Sequence, residues 1–257
     1  MLALLWMELA KLFRLSSVRF SALLVLLLPL LWAYAPGIFD VYGVFLVSGF
    51  QVPALSLLSG MEFLFPLLIA IISAELLGME IGFGTLRATL LRPVNRSSWL
   101  LAKIGAASLL PFILLAAVLF VSAVAGLFFG YGDFVGGTGL GAGGLVGQGV
   151  TSAGSAAAEL LRAYAVAAFS LVPVSLLSLL LTVVFMNAAG GALATLGILI
   201  LSGLLVVFSW LSTFLPTTQL NAYLATGAQL VTPLTLIAVY SIAFALLAVF
   251  TFERKDF

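Results

Sequence analysis

The residues that could carry out chemistry are few, because only 7 % of the 257 residues are charged. The chain has no histidine and no cysteine, so it has no histidine general base, no thiolate nucleophile and none of the usual zinc or haem ligands. It also has no G-x-x-x-x-G-K-[ST], G-x-S-x-G or H-E-x-x-H sequence. We therefore expect no catalytic, cofactor-binding or metal site, and we do not expect an enzyme.

Glu75 is the one carboxylate that we expect inside a hydrophobic segment, because Glu62 and Glu80 lie at opposite ends of the same segment. A charge at the bilayer centre costs about 2.5–3.5 kcal/mol on insertion scales, so such residues often mark ion or substrate pathways. Glu75 could bind an ion or a proton. The favoured interpretation is structural: an inward-facing carboxylate near the interface, paired with an arginine of the following loop.

Basic residues concentrate between Glu80 and Lys103, in the stretch EIGFGTLRATLLRPVNRSSWLLAK. Four of the ten basic residues of the chain lie there, namely Arg87, Arg92, Arg96 and Lys103. The stretch also has the pattern of a short helix between two long ones. Gly84 breaks the preceding helix, Thr85 can cap a new one, and Pro93 ends it because proline lacks the amide donor. Two leucines one turn apart, Leu86 and Leu90, suit docking into a groove on a soluble protein.

The composition of the whole chain indicates that these residues belong to a membrane protein. Apolar residues make up 64 % of the chain, against about 45–50 % in soluble domains, and the mean hydropathy is +1.32. A helix needs about 20 apolar residues to cross a bilayer. Six segments qualify, and they cover residues 19–36, 61–80, 101–129, 162–186, 191–211 and 231–252. The sequence therefore predicts a single all-α polytopic membrane domain over residues 1–257.

The distribution of lysine and arginine predicts the orientation of these spans, because cytoplasmic loops retain basic residues. With both termini in the cytoplasm, the cytoplasmic segments contain nine basic residues and the outer segments contain Arg162 alone. Both termini are therefore predicted to be cytoplasmic, in a multi-pass protein of the cell membrane, with residues 81–100 as a cytoplasmic loop. The net charge of +1 gives no indication of a nucleic-acid partner.

The segment of residues 1–18 is predicted to form an amphipathic helix at the cytoplasmic membrane interface. Six apolar residues fall within one arc of a helical wheel, namely Leu2, Leu5, Trp6, Leu9, Leu12 and Phe13. Glu8, Lys11 and Arg14 lie on the opposite side. The alternative is a signal peptide with Ala33-Tyr34-Ala35 as its cleavage site, but its region before the hydrophobic core would be unusually long.

Two of the predicted outer segments are long, namely residues 37–60 and 130–161. The second contains 11 of the 25 glycines, a density that favours a flexible external linker over a packed element. A G-x-G pattern there is no sign of nucleotide binding, because no strand is predicted before it.

The stretch described above resembles the loop between the second and third spans of type-2 ABC transporter permeases. The matching pattern is E-x-x-x-G-T-L-R-x-x-L-x-R-P-V-x-R followed by a lysine. Its residues are Glu80, Gly84, Thr85, Leu86, Arg87, Leu90, Arg92, Pro93, Val94, Arg96 and Lys103. The resemblance implies an N-terminal interfacial helix, six spans, both termini inside and a coupling helix over residues 84–92. The chain differs from many of these permeases in its glycine-rich segment, where compact external helices are expected.

The resemblance further implies that the chain pairs with a second permease subunit, as a homo- or heterodimer, around a translocation path. Its energy would come from a separate cytoplasmic ABC ATPase that binds ATP and magnesium. The first hypothesis is therefore the permease subunit of an ATP-driven exporter. The alternatives are a membrane scaffold or assembly factor that does not transport, and an ion-coupled secondary transporter that uses Glu75.

Overall fold

The computed structural model describes residues 2–34, 46–85, 96–141, 144–145 and 149–255. Within these residues, six helices are long and apolar enough to cross a membrane. This confirms the prediction of an all-α polytopic membrane protein. A short N-terminal helix precedes the first span, as the amphipathic pattern predicted.

The helices are numbered in chain order. The N-terminal helix is α1 (Leu2–Leu12), and the spans are α2 (Ser16–Tyr34), α3 (Gln51–Gly82), α4 (Arg96–Gly126), α5 (Ala153–Phe185), α6 (Ala188–Leu205) and α9 (Val231–Glu253). Between the last two spans lie the short helices α7 (Ser209–Ser212) and α8 (Pro216–Leu220), followed by 3₁₀ turns at Asn221–Leu224 and Gly227–Leu230. A third 3₁₀ turn, Leu127–Phe129, follows α4, and strands β1 (Phe134–Val135) and β2 (Val150–Thr151) pair antiparallel.

Helix α5 forms the centre of the bundle and packs against α3, α4, α6 and α9. It is the most buried of the six spans. Serine hydroxyls join it to its neighbours, because Ser178 donates to the Ala70 carbonyl of α3 and Ser175 to the Ala107 carbonyl of α4, both at 2.5 Å. Hydrogen bonds between helices are a common source of cohesion in membrane bundles, where apolar contact with lipid is equally favourable.

Helices α3 and α5 begin ten and nine residues before the predicted spans. The side-chain carbonyl of Gln51 accepts the Val47 amide at 2.8 Å, and the Gln51 side-chain amide donates to the Gly137 carbonyl at 3.0 Å. The Tyr164 hydroxyl of α5 donates to the Pro53 carbonyl of α3 at 2.9 Å. Hydropathy marks only the continuously apolar part of a helix, whereas these two helices continue beyond it by packing on each other.

The glycine-rich segment packs against the bundle over its described residues, which differs from the predicted flexible linker. Leu140 is 1 % exposed, and the Thr138 hydroxyl donates to the Glu159 carboxylate of α5 at 2.5 Å. The Gly49 amide donates to the Gly130 carbonyl at 2.8 Å. A β-carbon at Gly49 would lie 2.4 Å from the Gly126 carbonyl oxygen, so glycine allows two backbones to approach. Within the segment itself, Gly141 allows close packing in the same way, because a β-carbon there would lie 2.4 Å from Glu159 Oε1.

Helix α1 presents its acidic residue to the bundle, contrary to the predicted water-facing polar side. Glu8 is 4 % exposed and Leu12 is 2 % exposed, whereas Trp6 is 74 % exposed. The prediction placed Glu8 opposite the apolar stripe because it considered α1 alone. A basic partner on a neighbouring helix, Lys103 of α4, reverses that preference.

The first and last helices reach the same end of the bundle, which we call the base. Lys11 of α1 contacts Glu80 near the end of α3. The Ser97 hydroxyl at the start of α4 donates to the Glu253 carboxylate at the end of α9 at 2.6 Å. Both ends of the described chain therefore lie on one side, as an even number of spans requires.

Candidate functional site: an ion cluster at the base of the bundle

Four charged side chains meet at the base and join three helices. Glu8 and Lys11 lie one turn apart on α1, Glu80 is in the last turn of α3, and Lys103 is in the second turn of α4. We call these four residues the basal ion cluster. Two carboxylates and two ammonium groups make it formally neutral, which reduces the cost of burying it.

Lys103 is the centre of the cluster and is fully buried. Its ammonium nitrogen lies 2.8 Å from Glu8 Oε2, 3.0 Å from Glu80 Oε1 and 2.6 Å from the Leu76 carbonyl oxygen. An ammonium group has three N–H donors, and three acceptors surround this one. The same nitrogen lies 4.7 Å from the centre of the Trp99 ring, which adds a cation–π contact.

Lys11 closes the cluster from the side of α1. Its ammonium nitrogen lies 2.6 Å from Glu8 Oε1 and 3.0 Å from Glu80 Oε1. Each carboxylate therefore contacts both lysines. Since the Lys11 side chain is about half exposed, we expect its ion pairs to contribute less than those of Lys103.

The two cluster residues on α1, Glu8 and Lys11, remain ionised in the cluster. Burial alone would raise the pKa of Glu8, yet the ammonium groups of Lys103 and Lys11 bring it below its ordinary value. Burial alone would lower the pKa of Lys11, yet its hydrogen bonds to Glu8 and Glu80 bring it above its ordinary value. Both groups are therefore ionised throughout the neutral pH range, and the attraction between them persists there.

The cluster lies where the predicted coupling segment leaves α3. Glu80, the first residue of the family-like pattern, belongs to the cluster itself. Gly84 has a φ of +67° and ends the helix, a conformation that favours glycine. The Thr85 hydroxyl donates to the Glu80 carbonyl at 3.2 Å. Arg96 begins α4. The other predicted coupling residues lie outside the described residues: Leu86, Arg87, Leu90, Arg92 and Pro93.

Glu75 precedes Glu80 by about one and a half turns of α3 and lies farther from the base, where it is half-buried. It accepts a hydrogen bond from the Ser17 hydroxyl at the start of α2. The contact ties the first span to the second. Within the described part of the chain, its hydrogen-bond partner is a serine; the side chains of the loop arginines in the favoured interpretation lie outside the described residues.

Sequence reasoning found the members of the cluster but not their association. It assigned Glu8 and Lys11 to the outer side of an interfacial helix and Lys103 to the membrane interface. One signal was available: Lys103 falls within the predicted third span, and a lysine there needs a nearby acceptor. Glu80, at the matching end of the second span, was the obvious candidate. Glu8 could not be found in this way, because α1 has no fixed position relative to α4 in the sequence.

A search of curated proteins gave no match to the chain. Residues 22–257 match the family described as "Protein of unknown function (DUF2705)". The match begins within the first span and continues to the last residue, so it includes part of that span, the other five spans, and two of the three helices that carry the basal ion cluster, α3 and α4. The chain therefore belongs to the DUF2705 family.

Proposed function

We propose that this chain is the permease subunit of an ATP-driven exporter. In this proposal it forms a translocation path with a second permease subunit and couples to a separate cytoplasmic ABC ATPase, which binds ATP and magnesium. The coupling element is the segment between α3 and α4. The observation that carries the proposal is the basal ion cluster, which joins the two helices that flank this segment.

The cluster gives the coupling segment a rigid attachment. Lys103 of α4 contacts both Glu80 and the Leu76 carbonyl of α3, so the two helix ends move together. Glu8 adds α1 to the same unit. Coupling between distant sites needs a connected, stiff element that both sites can bias. A displacement of the segment by the ATPase would therefore move both spans and α1 together.

The distribution of charge supports a cytoplasmic position for the base. Lys11 and Lys103 lie there because both contact Glu80. Lys255 lies there because it donates to the Val184 carbonyl at the end of α5. Arg162 lies in the opposite half of α5 and bonds to the Ala225 carbonyl. Under the positive-inside rule, this distribution supports a cytoplasmic coupling segment within reach of an ATPase at the cell membrane.

Charge reversal in the coupling segment tests the proposal. We expect Arg87→Glu and Arg92→Glu to separate ATP hydrolysis by the co-purified ATPase from movement of the permease, because each reverses a charge at the proposed docking surface. The chain has no cysteine, so a single Val135→Cys variant reports movement at the far end, where Val135 is 69 % exposed. We expect ATP to change its maleimide labelling rate, and each reversal to reduce that change about tenfold.

Arg254→Glu is the matched control, since Arg254 is a basic residue at the base but outside the segment. It should leave the ATP-dependent change intact. The proposal fails if no ATPase co-purifies, or if the two reversals leave the labelling response unchanged. A scaffold would retain a partner without any response to ATP, and a secondary transporter would show an ion dependence that Glu75→Gln abolishes.

A further inference from the structure

Glu62 lies in an irregular part of α3, far from the basal ion cluster. Residues Gly60–Leu64 form a π-helical turn inside this otherwise α-helical span. Such turns insert one extra residue, redirect the neighbouring side chains and occur frequently at functional sites. The Glu62 side chain is exposed, and it makes no hydrogen bond or ion pair within the described residues.

Glu62 lines two neighbouring cavities. One, of about 410 Å³, lies between α2 and α3 and is lined mainly by leucines and Trp32. The other, of about 210 Å³, lies between α3 and α6 and extends to Thr217 in α8. Among the described residues, Glu62 is the only charged one that lines either cavity. Concave, mostly apolar sites with one or two well-placed polar groups are typical of small-ligand binding.

Two nearby polar groups indicate which ligand would fit. The Thr217 hydroxyl is buried and has no hydrogen-bond partner in the described part of the chain, so it can accept one from a ligand. Burial and the nearby Glu62 carboxylate raise the pKa of Tyr223 to about 12. A positively charged group beside the Glu62 carboxylate would be stabilised by the opposite charge.

The depth of Glu62 matches a lipid headgroup. It lies eighteen residues before Glu80 on the same helix, which is about 27 Å at 1.5 Å per residue. The hydrocarbon core of a bilayer is about 30 Å thick. With Glu80 at one boundary of that core, Glu62 lies close to the other boundary, where headgroups meet acyl chains.

We propose that Glu62 binds the primary ammonium headgroup of a bilayer lipid, with an acyl chain of that lipid in the adjoining cavities. The ammonium group supplies charge-assisted N–H donors to the Glu62 carboxylate and to the Thr217 hydroxyl. The cavities accept hydrocarbon because their linings are apolar. This binding site goes beyond the proposed exporter function and does not depend on it, since the bilayer alone supplies the ligand.

Native mass spectrometry of the purified full chain tests the site. The probes are phosphatidylethanolamine and phosphatidylcholine with identical acyl chains, because the second has no N–H donor on its nitrogen. We expect the wild-type chain to retain the first lipid about tenfold more tightly, and Glu62→Gln to abolish that preference. Glu253→Gln, a matched change at the base, should keep it.

Thr217→Val provides a second test that leaves the carboxylate in place, and it should reduce the preference about threefold. Added decylamine should displace the lipid, whereas methylamine, which has no tail, should not. The proposal is overturned if wild-type protein shows no preference, or if Glu62→Gln and Thr217→Val both retain it. It is also overturned if Phe63→Cys chains form disulfide-linked dimers that exclude the lipid, since a second copy would then cover the site.

Discussion

Replacing Lys103 by methionine is expected to destabilise the protein by about 3–5 kcal/mol, the usual cost of removing one partner from a buried ion pair. The substitution keeps most of the volume of the side chain but removes its charge and its three donors. Glu8 and Glu80 then remain close together at the base, with only the half-exposed Lys11 between them. The Leu76 carbonyl also loses its side-chain donor.

Unfolding in mixed micelles by increasing fractions of sodium dodecyl sulfate, followed by circular dichroism, measures this loss. Lys255→Met is the matched control, because Lys255 lies at the same end with an exposed contact, and it should change stability by at most about 0.5 kcal/mol. In the double variant Glu8→Gln/Lys103→Met, the effects should couple by about 1–3 kcal/mol. Lys103→Met with wild-type stability would show that the basal ion cluster does not join the helices.

Replacing Gly78 by alanine is expected to cost about 1–3 kcal/mol, because it forces α3 and α6 apart. An added β-carbon would lie 2.3 Å from the Ala188 β-carbon and 2.6 Å from its α-carbon. Ala188 is the first residue of α6, and the Asn187 side chain caps this helix through the Ala189 amide at 2.9 Å. The clash is therefore with backbone, which cannot move aside as a long side chain can.

Gly197→Ala is the matched control for this prediction. Gly197 lies inside α6, and a β-carbon there would meet nothing within 4 Å. Alanine is a better helix former than glycine by about 1 kcal/mol, so this variant should be neutral or more stable. The same unfolding measurement compares the two. Equal stability of the two variants would contradict the close approach of α3 and α6.

The spans could be predicted from sequence because lipid imposes one strong requirement, about 20 consecutive apolar residues per crossing. Where that requirement ends, the prediction lost accuracy. Residues 51–60 and 153–161 carry polar and small side chains, so hydropathy placed them in external loops. They are helical because the Gln51 side-chain amide donates to the Gly137 carbonyl and the Tyr164 hydroxyl donates to the Pro53 carbonyl. Those contacts connect parts of the chain more than 80 residues apart, and a local pattern cannot contain them.

The candidate site was predictable only in part for the same reason. The family-like pattern from Glu80 to Lys103 directed attention to the end of the bundle where the basal ion cluster lies. It described a loop, however, and not the pairing of Glu80 with Lys103 beneath that loop. Glu8 was assigned to the wrong side of α1, because a helical wheel assumes that all polar residues face water. Glu8 faces the bundle instead, because it pairs there with a buried lysine on another helix.

In the proposed exporter, residues 84–92 dock onto a cytoplasmic ATPase. The most direct measurement is site-directed cross-linking from single cysteines, which the cysteine-free chain allows without background. A photoreactive probe is attached to Leu86→Cys or Leu90→Cys and activated in native membranes, and the product is identified by mass spectrometry. We expect a cross-link to an ABC ATPase subunit from both positions and none from Val150→Cys at the far end. Cross-links to lipid alone, or to a protein without an ATP-binding domain, would contradict the proposed docking.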